Sequence, residues 1–123
     1  MANEFTIVTS MRYSSGNDSQ VLKDQYTADQ VSVPLGGAPG VQNVGTTHEI
    51  LAISGLLNLG IAYFKNLDET NFVDIGVDVS STFYPLIRLL PGESTVFRFT
   101  ATATPYLKAD TAPVRVQGTV YED

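Results

Sequence analysis

The chain has 123 residues, 43% of them hydrophobic and 16% charged, with no cysteine and a formal net charge of −6. A chain of this length can bury the core of one domain, and the lack of cysteine excludes disulfide staples and thiolate metal sites. Its seven Lys and Arg residues are scattered, which argues against nucleic acid or an anionic membrane surface as a partner, because both need a concentrated basic face.

Alternation with period two runs through the chain. Phe5, Ile7, Thr9, Met11 and Tyr13 share one parity, and Thr6, Ser10 and Arg12 share the other. That pattern predicts a long strand with one buried face. Residues 14–19, Ser-Ser-Gly-Asn-Asp-Ser, are a turn cluster. A second extended segment over 20–33, anchored by Val21, Tyr26, Val31 and Val33, is expected to pair with the first as a hairpin. Two Pro and three Gly within residues 34–40 make a loop. Short strands are expected at 41–44 and 48–53, and a helical turn or an irregular corner at 56–60. The stretch 50–64 is apolar, but Ser54, Gly55, Asn58 and Gly60 interrupt it, so it is too short to span a bilayer. The opening Met1-Ala2-Asn3-Glu4 has no basic segment before an apolar run, and no secretory leader is expected.

The strand signal strengthens from Leu59. Residues 61–66 form a strand and 67–71 its turn. Val73, Ile75, Val77 and Val79 then alternate with Asp74, Gly76 and Asp78, which predicts a half-buried strand. Residues 83–90 lead into Pro91-Gly92-Glu93, where Pro presets φ and Gly closes the turn. Further strands are expected around 95–99, 101–107 and 114–121, with a loop at 108–113. About eight strands with frequent turns imply an all-β, single-domain β-sandwich over residues 1–123, jelly-roll or immunoglobulin-like. Phe5, Ile7, Val73, Ile75, Val77, Phe97, Phe99, Val114 and Val116 are its expected core.

Few constellations invite chemistry. His48 is the one histidine, and no G-x-S-x-G elbow accompanies it. It reads as a surface or hydrogen-bonded strand residue. Asp68, Glu69, Asp74 and Asp78 fall close together, and Asp74 and Asp78 share a strand face. Such a cluster could form a carboxylate pair or a calcium site, but the calcium-hand loop pattern is missing and a solvated strand face is the expectation. The glycines at 36–40 lack the Lys-Ser or Lys-Thr of a phosphate loop. Tyr63, Phe64, Phe72, Phe83 and Tyr84 could form a sugar platform, although core and interface packing is the simpler use. No catalytic residue, metal ligand or cofactor is expected.

Three segments carry a resemblance. They are Asn66-Leu67-Asp68-Glu69-Thr70-Asn71-Phe72-Val73-Asp74-Ile75-Gly76; Leu90-Pro91-Gly92-Glu93 followed by Phe97-Arg98; and the run from Tyr106 to Val116 with a near-terminal Tyr121-Glu122-Asp123. Their order resembles a group of small tailed-bacteriophage proteins regarded as virion structural proteins. The resemblance covers residues 59–123. In the first half only residues 1–4 and Gly45-Thr46-Thr47 match. It implies a non-enzymatic subunit of a phage particle, made in the host cytoplasm and located in the virion. The leading expectation is a capsid decoration (cement) protein that binds and stabilises the assembled capsid. The alternative is a tail component or a module binding host-surface carbohydrate or protein. Viral structural proteins are the implied partners, with self-association as a dimer or trimer. The family offers no catalytic residues, so the motifs read as fold-defining, and the first half is expected to carry partner contacts.

Overall fold

A computed structural model describes residues 4–29, 40–52, 56 and 58–123. The described residues are all-β, with ten strands and no helix. They are β1 (Phe5–Ser15), β2 (Asp18–Ala28), β3 (Gly40–Val44), β4 (Glu49–Ile50), β5 (Leu59–Asn66), β6 (Val73–Val79), β7 (Thr82–Leu89), β8 (Ser94–Arg98), β9 (Tyr106–Ala109) and β10 (Val114–Glu122). Most expected strands lie where the alternation placed them. The loop expected at 108–113 starts later, because Lys108 and Ala109 belong to β9. The expected loop at 34–40, apart from Gly40, lies outside the described residues, as do residues 30–33 of the second extended segment, Ile53 and Leu57, while Leu59 and Gly60 of the expected corner open β5.

The chain divides into two compact units, residues 1–32 and 33–123. In the first, β1 and β2 form a two-stranded antiparallel sheet of eleven residue pairs, from Phe5 opposite Ala28 to Ser15 opposite Asp18. Gly16 turns the chain between them at φ 56°, a conformation glycine adopts without a Cβ penalty. Directly opposed residues of an antiparallel pair share a face. One face therefore collects Phe5, Ile7, Met11, Tyr13, Leu22 and Tyr26 with Thr9, Gln20 and Asp24, while Val8 and Val21 lie on the other with Thr6, Ser10, Arg12, Lys23 and Gln25.

The second unit is a β-sandwich. Sheet I has the order β3-β10-β5-β8 and sheet II the order β4-β9-β6-β7. The pairs β3·β10, β4·β9, β5·β8 and β6·β7 are nested, each enclosing the next. This is one long antiparallel hairpin rolled into two sheets, the strand order of a jelly roll and not of an immunoglobulin sandwich. Rolling adds the lateral pairs β10·β5 and β6·β9.

The core lies between the sheets. Sheet I contributes Val44, Ala62, Phe64, Val114, Val116 and Val120, and sheet II contributes Val73, Ile75, Leu89, Leu107 and Ala109. Phe64 is completely buried and meets Phe97 and Phe99 edge-on at 5.8 and 6.2 Å, arrangements that suit the ring quadrupoles. Of the expected core, Val73, Ile75, Val114 and Val116 are in this cluster, and Phe97 and Phe99 pack against it half-buried. Val77 and Phe5 are only half-buried, and Ile7 is buried without belonging to the cluster. Alternation gives the parity of Phe5 and Ile7 correctly, but parity does not say which sheet a strand joins.

Candidate functional site

Two parts of the sandwich gather the residues singled out in the sequence. The first is the end where the three motif segments meet. Asn66 closes β5 and is fully buried. Its Nδ2 donates to the carbonyls of Asn71 and Leu89 at 2.9 and 3.0 Å, and its Oδ1 accepts from the Asp68 N–H at 2.8 Å. Its own backbone is bonded to the turn after β7: Asn66 N–H donates to the Glu93 carbonyl, and Gly92 N–H to the Asn66 carbonyl. Gly92 sits at φ 82°, and Glu93 Oε1 accepts from the Leu90 N–H at 2.8 Å. The third segment joins through backbone and side chain. Asp110 N–H donates to the Phe72 carbonyl, Leu67 N–H to the Arg115 carbonyl, and Thr111 Oγ1 to Asn71 Oδ1. Backbone bonds and the Thr111 side chain together order this loop.

Asp68 serves the same end. Its Oδ2 accepts from the backbone N–H groups of Asn71 (2.7 Å) and Thr70 (3.0 Å) and from the Thr70 hydroxyl. These bonds favour the ionised form, the Asn71 N–H most of all, and hold the Asp68 pKa below the usual carboxylate value. Asp68 is thus a turn-capping residue. Glu69 is exposed beside it.

The second part is the outer face of sheet II. Val73 and Ile75 point inward, so period two puts Asp74, Gly76 and Asp78 outward. Cross-strand register then builds rows. Asp74 lies between Lys108 of β9 and Arg88 of β7, Gly76 between Tyr106 and Pro85, and Asp78 opposite Phe83. Arg88 grips Asp74 with two parallel hydrogen bonds, Nε to Oδ1 at 2.8 Å and Nη2 to Oδ2 at 3.0 Å. The guanidinium also lies over the Phe72 ring, 3.7 Å from its centroid. The hydrogen bond to Asp74 raises the Arg88 pKa further.

At the other end of β6, His48 Nε2 is 2.6 Å from Asp78 Oδ2, and the second oxygen of Asp78 accepts from the Ser81 N–H. The His48 ring stacks on Phe83 at 5.5 Å and 24°, and Tyr106 approaches it at 5.6 Å. His48 and Asp78 therefore tie the chain entering β4 to the β6–β7 turn, where Ser80 and Ser81 take positive φ. Each strand carboxylate has its own cationic or imidazole partner, and the face is not the freely solvated one expected for Asp74 and Asp78. Among the described residues no group of three or more His, Asp or Glu side chains is placed to hold a metal ion.

Gly76 governs the shape of this face. A Cβ there would stand 2.1 Å from the Tyr84 carbonyl oxygen. The pairing shifts register beside it, with Ile75 opposite Ile87 and Gly76 opposite Pro85, so Leu86 is an extra, bulged residue. The five aromatics that could have formed one platform separate, with Tyr84 exposed on β7. Phe64 is in the core and Tyr63 is on β5 of sheet I, whereas Phe72 and Phe83 flank the Gly76 row. Tyr106 and Arg88 complete the cluster. Sequence alone gave no signal for them, because their neighbours are set by cross-strand register.

No helix of the described residues is long and apolar enough to cross a membrane. Comparison with protein-family models, with curated proteins and with solved structures finds no match.

Proposed function

We propose that this chain is a non-enzymatic structural protein of a bacteriophage particle, a capsid decoration protein whose jelly-roll body is anchored by its N-terminal hairpin. The observation that carries the assembly role is the hairpin. A two-stranded sheet alone is marginal in water. This one keeps Met11, Tyr13, Leu22 and Tyr26 of its apolar face between 47% and 55% exposed. With eleven residues a strand, it reaches about 35 Å. A long ribbon with apolar side chains exposed on both faces suits insertion against a protein lattice, where covering them drives binding. The resemblance of residues 59–123 to tailed-phage virion proteins supplies the kind of lattice, and the motif-locked end supports its fold-defining reading. The chain acts in the virion, with the major capsid protein as partner, and self-associates as a dimer or trimer through further surfaces such as the sandwich's edge strands β3, β7 and β8.

A decoration protein stabilises the assembled state by binding it and not the free subunits. Co-sedimentation tests this. The purified chain is expected to pellet with capsids that lack it and to stay in the supernatant with unassembled capsid protein. Capsids that pellet without it would overturn the assignment. Analytical ultracentrifugation at micromolar concentration tests self-association, and a monomer both there and on the particle would remove that part.

A further inference from the structure

We infer that the outer face of sheet II carries a binding site for a neutral pyranose unit of a carbohydrate. Between the Asp74 and Asp78 rows lies a depression of 290 Å³. That volume is near the lower end of small-ligand sites and suits a single sugar ring. Asp74 and Ala109 line it between the two strands β6 and β9. Phe83 and Pro85 wall one end, and Phe72 beneath the Arg88 guanidinium walls the other. Lys108 and Asp110 complete the lining.

The chemistry of this lining selects the ligand. Phe83 is half-buried and offers an apolar surface for the C–H face of a pyranose, whose weakly positive hydrogens match the negative ring face. The ring is held in place before binding, since His48 stacks against it and is itself held by Asp78. The charged groups lining the depression balance, with Arg88 and Lys108 against Asp74 and Asp110. Arg88 satisfies both Asp74 oxygens through Nε and Nη2, which leaves Nη1 to donate. A free anion or cation gains little from such a balanced set. A polyhydroxyl ligand gains much, because each hydroxyl both donates and accepts, and the rim offers donors on Arg88 and Lys108 and an acceptor on Asp110.

A single sugar in an open depression binds weakly, so the test must read millimolar affinity. Saturation-transfer NMR on the full chain, with the methyl glycosides of glucose, galactose, mannose and N-acetylglucosamine as probes, is the measurement. At least one probe is expected to receive saturation, strongest on the hydrogens of one ring face. Phe83→Ala is expected to weaken that probe roughly tenfold or more, the loss of one stacking wall. Lys108→Ala, at an exposed position where folding is not at stake, is expected to weaken it several-fold. Tyr63→Ala, on β5 of the other sheet, is expected to leave it unchanged. No saturation of any probe, or binding that Phe83→Ala and Lys108→Ala both leave intact, would overturn the site.

Discussion

The hairpin and the motif-bearing end of the sandwich both begin as alternating sequence, yet their side chains have different surroundings. At the sandwich end, the 67–71 and 110–113 turns are bonded to each other and the 91–93 turn is bonded to Asn66. Asn66, at the end of β5, serves the 67–71 turn and the end of β7 through its side chain, and the 91–93 turn through its backbone. In the hairpin, the ladder between β1 and β2 supplies the order, and large apolar side chains stay near half exposed on both faces, Val8 and Val21 included. Interlocked buried polar groups make a region that fails if one member is removed. A two-stranded ribbon with half-exposed apolar side chains changes little when one of them is lost, but its binding partner is expected to register that loss.

Substitutions can break this contrast, and the largest effect is expected in the core. Phe64→Ala removes the ring that Phe97 and Phe99 pack against and should cost about 3–5 kcal/mol, read from denaturant unfolding. Gly76→Ala follows at about 3 kcal/mol, because its Cβ meets backbone and β6 and β7 must part. Here amide exchange should show weakened protection along both strands. Asn66→Ala leaves the buried carbonyls of Asn71 and Leu89 without their side-chain donor. About 2–3 kcal/mol is expected, with the largest chemical-shift changes in the 67–71 and 91–93 turns. A loss below about 0.5 kcal/mol would show that the motif end is not interlocked as described.

Asp68 gives a gentler, pH-dependent test. Its folded pKa is depressed, so its contribution is present above the unfolded value and is lost as pH falls through the folded one. Wild type should therefore melt above Asp68→Asn at neutral pH, and the gap should close in acid below the usual carboxylate range. A gap that persists there would assign the effect to something other than the charge. The smallest stability change belongs to the hairpin. Met11→Ser with Leu22→Ser, opposed on the apolar face, should shift unfolding by less than about 1 kcal/mol while abolishing co-sedimentation with capsids. Full attachment by that variant would remove the hairpin from the interface.

Period-two patterning by itself determined that the chain is all-β, where most strands lie, and that Val73 and Ile75 face inward while Asp74 and Asp78 face outward. These are local properties, because a side chain's face follows from its place in the pleat. The turns at Gly16 and at 91–93 were legible for the same reason, since their residue types carry the needed φ. Which strands become neighbours was not local. The nested pairing, the separation of β1 and β2 into their own sheet, and the placing of Phe64 inside while Phe72 and Phe83 stay outside depend on contacts between residues far apart in the chain. The partners of Asp74 and Asp78 were hidden too: Arg88 lies 14 residues from Asp74 and His48 lies 30 from Asp78. Only the register of β6 with β7 and the approach of the chain entering β4 bring those pairs within hydrogen-bond reach, because a side-chain bond is decided over about 3 Å, which no alternation of residue types can specify.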